Sequence, residues 1–223
     1  MNEIKYLILD MGKVLVEPTT GSWYVTPVFL ENVDINKIEV EKLKEAINEL
    51  GPLLDSKMVT LDEEYTMIHK FYSDILQKVG YEISDEKLKN IVDDFVYNVT
   101  DTKYYLYDDV VEELNRLSKK YKVFLLSDNW PCAIEYLKKH DISKYFEKVY
   151  ISSVYGVRKR DGVFFDIPIK EFEIKQGEAL FVDDNEALLD VAKQKNINVL
   201  LMDRSKEAKE SKYKIISSLK EID

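Results

Sequence analysis

Four polar groups in this 223-residue chain each follow a short apolar run, and their types suit phosphoryl chemistry. Asp10 closes the run YLIL, just before Met11, Gly12 and Lys13, and Ser127 closes KVFLL. Lys159 comes shortly after the run VYI, and the pair Asp183-Asp184 follows ALFV. Three carboxylates gathered in one place repel one another, so their ionised state requires a cation. Oxygen-only ligands favour Mg²⁺, which takes a few carboxylates together with waters and phosphate oxygens. A phosphoryl group beside it would accept a hydrogen bond from Ser127 and face the ammonium of Lys159. Backbone N–H groups after Ser127, Asn129 among them, would add donors at the start of a helix. A carboxylate such as Asp10, facing phosphorus in that clamp, can attack it and form an aspartyl phosphate.

The elements that must position these residues follow from the same runs. Short continuous apolar stretches read as strands buried on both faces of a parallel sheet. Their carboxyl ends share one edge, where open α/β sheets bind ligands. From residue 101 onward helix and strand alternate. Helices are expected over 107–120, from Pro131 to about 140, through Leu188, Leu189 and Ala192, and over 206–220. Strands are expected over 122–126, 149–151, 179–182 and 197–201. Such alternation implies right-handed crossovers and a doubly wound α/β fold. Residues 17–100 read as helical throughout. One helix is expected over 34–50, stopped by Gly51-Pro52. A second opens on the capping box Thr60–Glu63 and presents Tyr65, Ile68, Tyr72, Ile75, Leu76 and Val79 on one face. A third is expected over 85–98. The expected organisation is a core of residues 1–16 and 101–223, with a small all-helical cap at 17–100 inserted after the first strand.

Each of the four groups also has a plain structural reading. Ser127 is a good helix-entry residue, Lys159 stands in a basic turn with Arg158 and Arg160, and Asp183-Asp184 could open the next helix. His69 reads as packed at the edge of its helix face. Four such coincidences along one sheet edge favour a single shared site. Composition narrows the class further. Hydrophobic residues make up 45% and charged ones 33%, ordinary for a globular protein. The net charge of −10 excludes nucleic acid and anionic membrane as expected partners. The single cysteine, Cys132, rules out an internal disulfide framework and suits a reducing compartment. With no apolar run of about 18 residues and no signal-like start, a cytoplasmic protein is expected. No GxGxxG follows the first strand, so a dinucleotide site is not expected.

The order Asp, Ser, Lys, Asp-Asp resembles the haloacid dehalogenase (HAD) superfamily of phosphotransferases. LILDMGKVLV resembles its first motif, FLLSD its second, GVRK its third and LFVDDN its fourth. The resemblance spans essentially the whole chain and implies a Rossmann-like core with a substrate-selecting cap between the first two motifs. It implies Asp10 as nucleophile, with Ser127 and Lys159 holding the phosphate. It implies Mg²⁺ on the Asp10 carboxylate, the Gly12 carbonyl and Asp184, with Asp183 assisting through water. Gly12 and Asn129 are then expected beside the substrate. The implied activity is Mg²⁺-dependent hydrolysis of a small phosphorylated metabolite, such as a sugar phosphate. The alternative is a catalytically degenerate member that binds a phosphorylated ligand or a partner protein.

That alternative arises from Gly12. Phosphatases of the superfamily usually carry a second Asp there, which protonates the leaving group, and its loss typically costs about 10² to 10⁴ in rate. Some bacterial members resembling this chain, described as sugar-phosphate phosphatases, also have Asp-x-Gly. Two further departures are Arg160, where Pro commonly follows the lysine, and Asp128, where a neutral residue is usual. Arg160 is expected to loosen its loop and Asp128 to turn away from the phosphate. Lys13 is expected to be solvated, and Tyr104, Tyr105 and Tyr107 to cover the hinge between cap and core. Phosphate-receiver domains place the acidic pair before the phosphoacceptor, the reverse of this order. Carbon–halogen hydrolysis is disfavoured, because the resembling dehalogenases need no metal. The substrate and the oligomeric state stay open.

Overall fold

The protein is described by a computed structural model covering residues 3–97, 102–207 and 210–223. In chain order come β1 (Tyr6–Leu9), β2 (Val16–Pro18), α1 (Pro27–Asn32), α2 (Val40–Leu50), α3 (Leu61–Lys78) and α4 (Asp85–Tyr97). Then follow β3 (Tyr104–Leu106), α5 (Val110–Leu117), β4 (Lys122–Ser127), α6 (Cys132–Lys139), β5 (Lys148–Ile151), α7 (Ser152–Tyr155) and α8 (Val163–Glu171). The chain ends with β6 (Ala179–Asp183), α9 (Glu186–Gln194), β7 (Asn198–Met202) and β8 (Ile215–Ile216). Six strands form one parallel sheet in the order β5-β4-β1-β6-β7-β8. The order turns back on either side of β1, so this is the doubly wound arrangement, with its ligand edge at the strands' carboxyl ends.

Why the central strand, β1, is apolar is visible in its two covered faces. Successive side chains point to opposite faces, so Leu7 and Leu9 enter one core with Val123, Leu125 and Leu114. Ile8 enters the other, with Phe124, Phe181 and Leu189. Both faces are covered, and neither tolerates a polar residue until the strand ends. A third core holds α1 to α4 together through Phe29, Ile68, Phe71, Ile75, Ile91 and Phe95. Trp130 and Cys132, from the loop after β4 and the start of α6, join it. The capping box forms as expected: Thr60 Oγ1 accepts the Glu63 N–H at 3.2 Å, and Glu63 Oε2 accepts the Thr60 N–H at 3.1 Å.

Several expected elements differ. The helix over 206–220 does not form among the described residues; Ile215–Ile216 instead adds a parallel strand beside Leu201 and Met202, and a 3₁₀ turn follows at Leu219–Glu221. Ile215, Ile216, Leu219 and Ile222 keep helical spacing, but pairing with β7 closes the sheet edge and buries Ile216, Leu219 and Ile222 in the core instead. The helix expected over 34–50 starts late, because Asp34 caps a separate 3₁₀ turn at Ile35–Lys37 before α2. Nor is the stretch after β1 purely helical. β2 pairs antiparallel with β3 through Val16↔Leu106 and Pro18↔Tyr104, a ribbon where the chain leaves and re-enters the sheet region. Of the three tyrosines expected over the hinge, Tyr104 and Tyr105 lie in β3 and Tyr107 follows it. The expected cap boundary at 100/101 and the end of the third helix at residue 98 lie outside the described residues.

Glu64 of α3 is wholly buried where the helical layer meets α6. Its Oε2 accepts the Cys132 N–H at 2.8 Å, and its Oε1 is buried without a hydrogen-bond partner. Burial pushes this carboxyl above its ordinary value. A raised folded value means the folded state holds the proton more tightly than the unfolded chain. Its contribution is therefore full below the unfolded value and is lost as pH rises through the folded one. Glu64→Gln is expected to be more stable than wild type at pH 8, by about 1–3 kcal/mol in urea unfolding. The gap should close toward pH 4.5, and a gap that does not change with pH contradicts the assignment.

Candidate active site

Asp10, Ser127 and Asp183 end three adjacent strands, β1, β4 and β6, so the parallel register alone carries them to one edge. Asp10 continues the ladder by donating its N–H to the Val182 carbonyl at 3.0 Å. Lys159 arrives from the loop after α7. Its side chain is 2% exposed, and its ammonium lies 2.9 Å from Asp10 Oδ1 and 2.6 Å from Asp183 Oδ2. Burial works against that ammonium, but the facing carboxylates of Asp10, Asp183 and Asp128 outweigh it and hold it well above its ordinary value. Burial pushes the Asp183 carboxyl up, Lys159 pulls it back and Asp10 pushes it up again. The 2.6 Å contact is that of an ionised pair.

Asp184 stands beside them, less enclosed. Burial and Asp10 push its carboxyl up, while Lys13 and Lys159 oppose them. Asp183 Oδ1 accepts the Asn185 N–H at 2.8 Å, and Asn185 caps α9 by accepting the Ala187 N–H at 2.9 Å. This turn aims the acidic pair at β1. Asp10, Asp183 and Asp184 each present a carboxylate oxygen, all within 4.8 Å of one another. Asp10 Oδ1 is buried and, although Lys159 is near, receives no aligned hydrogen bond. A compact, oxygen-only acidic set with an unsatisfied inward lone pair fits a divalent cation such as Mg²⁺. Gly12 and Ser127 line the same cavity of about 270 Å³.

The structure brings every expected site residue to this cavity, while Asn129, Asp128 and Arg160 make contacts that the spacing did not foretell. Asn129 lines it, but its N–H donates to Ser152 Oγ at 3.1 Å and the Trp130 N–H donates to Asn129 Oδ1 at 2.9 Å. With the Cys132 N–H taken by Glu64, these backbone donors at the start of α6 already have partners within the fold. Asp128 does not turn away: it lines the cavity, and its Oδ1 accepts the Lys159 backbone N–H at 3.1 Å, which needs an acceptor at the start of its 3₁₀ turn. Lys13 is half exposed, and its ammonium lies 3.9 Å from Asp184 Oδ2.

Arg160 is the third difference. Instead of loosening its loop, it pairs with Asp55 Oδ2 at 2.6 Å while Arg158 takes Asp55 Oδ1 at 2.7 Å. Arg158 is buried and also donates to the Leu54 carbonyl at 2.6 Å and to Ser152 Oγ at 2.9 Å. The segment ahead of α3 is thereby tied to the loop that carries Lys159. No sequence signal marked Asp55, which sits alone in an unremarkable stretch. Asp55→Asn is expected to lower stability by about 1–2 kcal/mol through the weakened charge-assisted bonds. Faster amide exchange around residues 51–58 would accompany it, and unchanged stability and exchange would contradict the clamp.

The cavity wall missed by the sequence reading is aromatic. Trp23, Tyr24, Tyr104 and Trp130 line it together with the charged groups of the sheet edge. Trp23 and Tyr24 precede α1 in a stretch without periodicity, so nothing local assigned them to a site.

Comparison with known proteins gives a consistent picture. The pattern of the family described as haloacid dehalogenase-like hydrolase matches residues 33–202. A D-ribitol-5-phosphate phosphatase of Bacteroides thetaiotaomicron is 25% identical over 203 residues, covering 86% of this chain and 88% of that protein. Among solved structures, a HAD-family enzyme of Bacteroides thetaiotaomicron in complex with magnesium and inorganic phosphate has a TM-score of 0.65 at 20% identity, covering 92% of this chain and 98% of that one. A HAD-hydrolase of Bacillus subtilis bound to magnesium has a TM-score of 0.71 at 14% identity, covering 99% and 97%. At these identities the two structures speak for the fold.

Proposed function

This chain belongs to the haloacid dehalogenase-like hydrolases, and from that premise we propose that it hydrolyses a small phosphorylated metabolite in a Mg²⁺-dependent reaction with Asp10 as nucleophile. One observation carries the proposal: three carboxylates within 4.8 Å of one another share a cavity with a buried lysine and a serine hydroxyl. The similarity to a D-ribitol-5-phosphate phosphatase supports it, and so does the magnesium and phosphate in a structure of the same fold.

In this reading Asp10, Asp184 and the Gly12 carbonyl hold the cation, with Asp183 assisting. Mg²⁺ supplies positive charge that neutralises the phosphoryl oxygens and relieves the crowding of the carboxylates. Lys159 orients Asp10 and neutralises phosphoryl charge, which is the larger part of catalysis in phosphoryl transfer. Ser127 donates its hydroxyl to a phosphoryl oxygen. Residues 17–100 act as the cap and contribute Trp23 and Tyr24 to the wall, so substrate selection rests with them.

The test is phosphate release from a panel containing p-nitrophenyl phosphate, ribitol 5-phosphate and hexose phosphates. Release with Mg²⁺ is expected, falling to background with EDTA and returning when Mg²⁺ is restored. Release that EDTA leaves untouched, or none from any ester, overturns the proposal.

A further inference from the structure

The stretch that carries Lys159 runs between two glycines in the left-handed region, Gly156 at φ +70° and Gly162 at φ +73°. Glycine restricts its own backbone least, so the chain between them keeps its place only through the bonds it makes. Lys159 opens the 3₁₀ turn Lys159–Asp161, at the end where N–H groups find no partner within the turn. Arg160 follows it, and no proline ring fixes φ there. Two anchors of the stretch belong to side chains. The Lys159 ammonium sits on Asp10 and Asp183, and the guanidinium groups of Arg158 and Arg160 sit on Asp55. The first acts only at the tip of a flexible stem, and the second comes from a segment outside the sheet.

A third anchor acts on the backbone. Asp128 follows Ser127 at the end of β4, and its Oδ1 accepts the Lys159 N–H at 3.1 Å. The next residue joins the same two loops further back. The Asn129 N–H donates to Ser152 Oγ at 3.1 Å, and the Ser153 N–H donates to the Asn129 carbonyl at 3.3 Å. Those bonds hold the start of α7, before Gly156, whereas the Asp128 bond is made beyond it, at Lys159 itself. It ties the backbone of the lysine to the neighbour of the serine, so hydroxyl and ammonium keep one spacing. The carboxylate has a drawback, because a negative charge beside a phosphate site repels the anion to be held. Order in the loop is what it offers in return.

Resting on the phosphatase reading above, we propose that Asp128 is a positioning residue: through the Lys159 backbone it holds the lysine at a fixed spacing from Ser127, so that both meet the phosphoryl group in the geometry of its transfer. The role belongs to the acceptor oxygen and not to the charge. An asparagine can fill it, and an alanine cannot. Fixed positive charge counts most where the phosphoryl oxygens face it during transfer. Displacing a catalytic group by about 1 Å can lower the rate by about 10²-fold.

The experiment measures kcat/KM on p-nitrophenyl phosphate with Mg²⁺, together with inhibition constants for inorganic phosphate and for orthovanadate, which adopts the five-coordinate shape of the transfer. Asp128→Ala is expected to lower kcat/KM about 10- to 100-fold and to raise the orthovanadate constant by a similar factor. The inorganic phosphate constant should change less than about threefold, since that anion does not resemble the transition state. Asp128→Asn, which keeps the acceptor, should recover most of the loss. A partly unfolded protein would lower the rate but leave both constants in place, which separates positioning from folding. Asp128→Leu, of similar volume and without the acceptor, replaces Asp128→Ala if that variant does not fold. Amide exchange adds a readout without substrate: the Lys159 N–H is expected to be slow in wild type and Asp128→Asn, and fast in Asp128→Ala. Equal orthovanadate constants in wild type and Asp128→Ala, an Asp128→Asn protein as impaired as Asp128→Ala, or a fast Lys159 N–H in wild type overturns the inference. If wild type hydrolyses the ester while these outcomes appear, only this inference falls; if it hydrolyses none, the phosphatase reading falls and takes this inference with it.

Discussion

Asp10→Asn is expected to lower phosphate release by roughly 10⁴- to 10⁶-fold, with the fold intact. An amide oxygen is a far weaker nucleophile than a carboxylate, and Asn keeps the shape of the side chain at the end of β1. The backbone bond from residue 10 to the Val182 carbonyl is untouched. Lys159 loses its 2.9 Å contact with Asp10 but keeps the 2.6 Å one with Asp183. One of three crowded carboxylates becomes neutral, so stability should hold or rise slightly. Steady-state phosphate release and urea unfolding, run together, check both halves. Activity above about one per cent of wild type in a well-folded Asp10→Asn protein would remove Asp10 as the attacking group.

The second large effect is on stability. Lys159→Met keeps the volume of the side chain but leaves Asp10 and Asp183 as buried charges without a counter-ion, beside Asp184. Removing one partner of a buried ion pair costs about 3–5 kcal/mol. The loss should be greatest in EDTA at pH 8, where the carboxylates are forced to stay ionised. It should shrink at pH 5, because the burial that pushes the Asp183 carboxyl up is then no longer offset by the ammonium, and such a group contributes stability at low pH that is lost as pH rises. Mg²⁺ should return part of the loss, about 2.7 kcal/mol at a hundredfold excess over its dissociation constant. Urea midpoints at the two pH values, with and without Mg²⁺, give all four numbers. A Lys159→Met protein as stable as wild type in EDTA at pH 8 would show that the lysine does not hold the carboxylates together.

What the amino-acid sequence determined by itself was the sheet and its polar edge. The runs before Asp10, Ser127 and Asp183 can only be strands covered on both faces, and parallel pairing brings their ends into line. The capping box at Thr60 was legible for the same reason: these are interactions within a few residues, and local spacing encodes them. The charged set needed only the added knowledge that like charges demand a cation. The C-terminal strand was not legible, because Ile215 and Ile216 are strand residues only in the presence of β7. Nor were the Trp23 indole over Gly12, the grip of Asp55 on Arg158 and Arg160, or Glu64 at the start of α6. Each joins residues that are remote in the chain, and their contact depends on how the helical layer seats on the sheet. Local periodicity carries the elements, whereas the fit between them is settled only when side chains from distant segments exclude one another from the same volume.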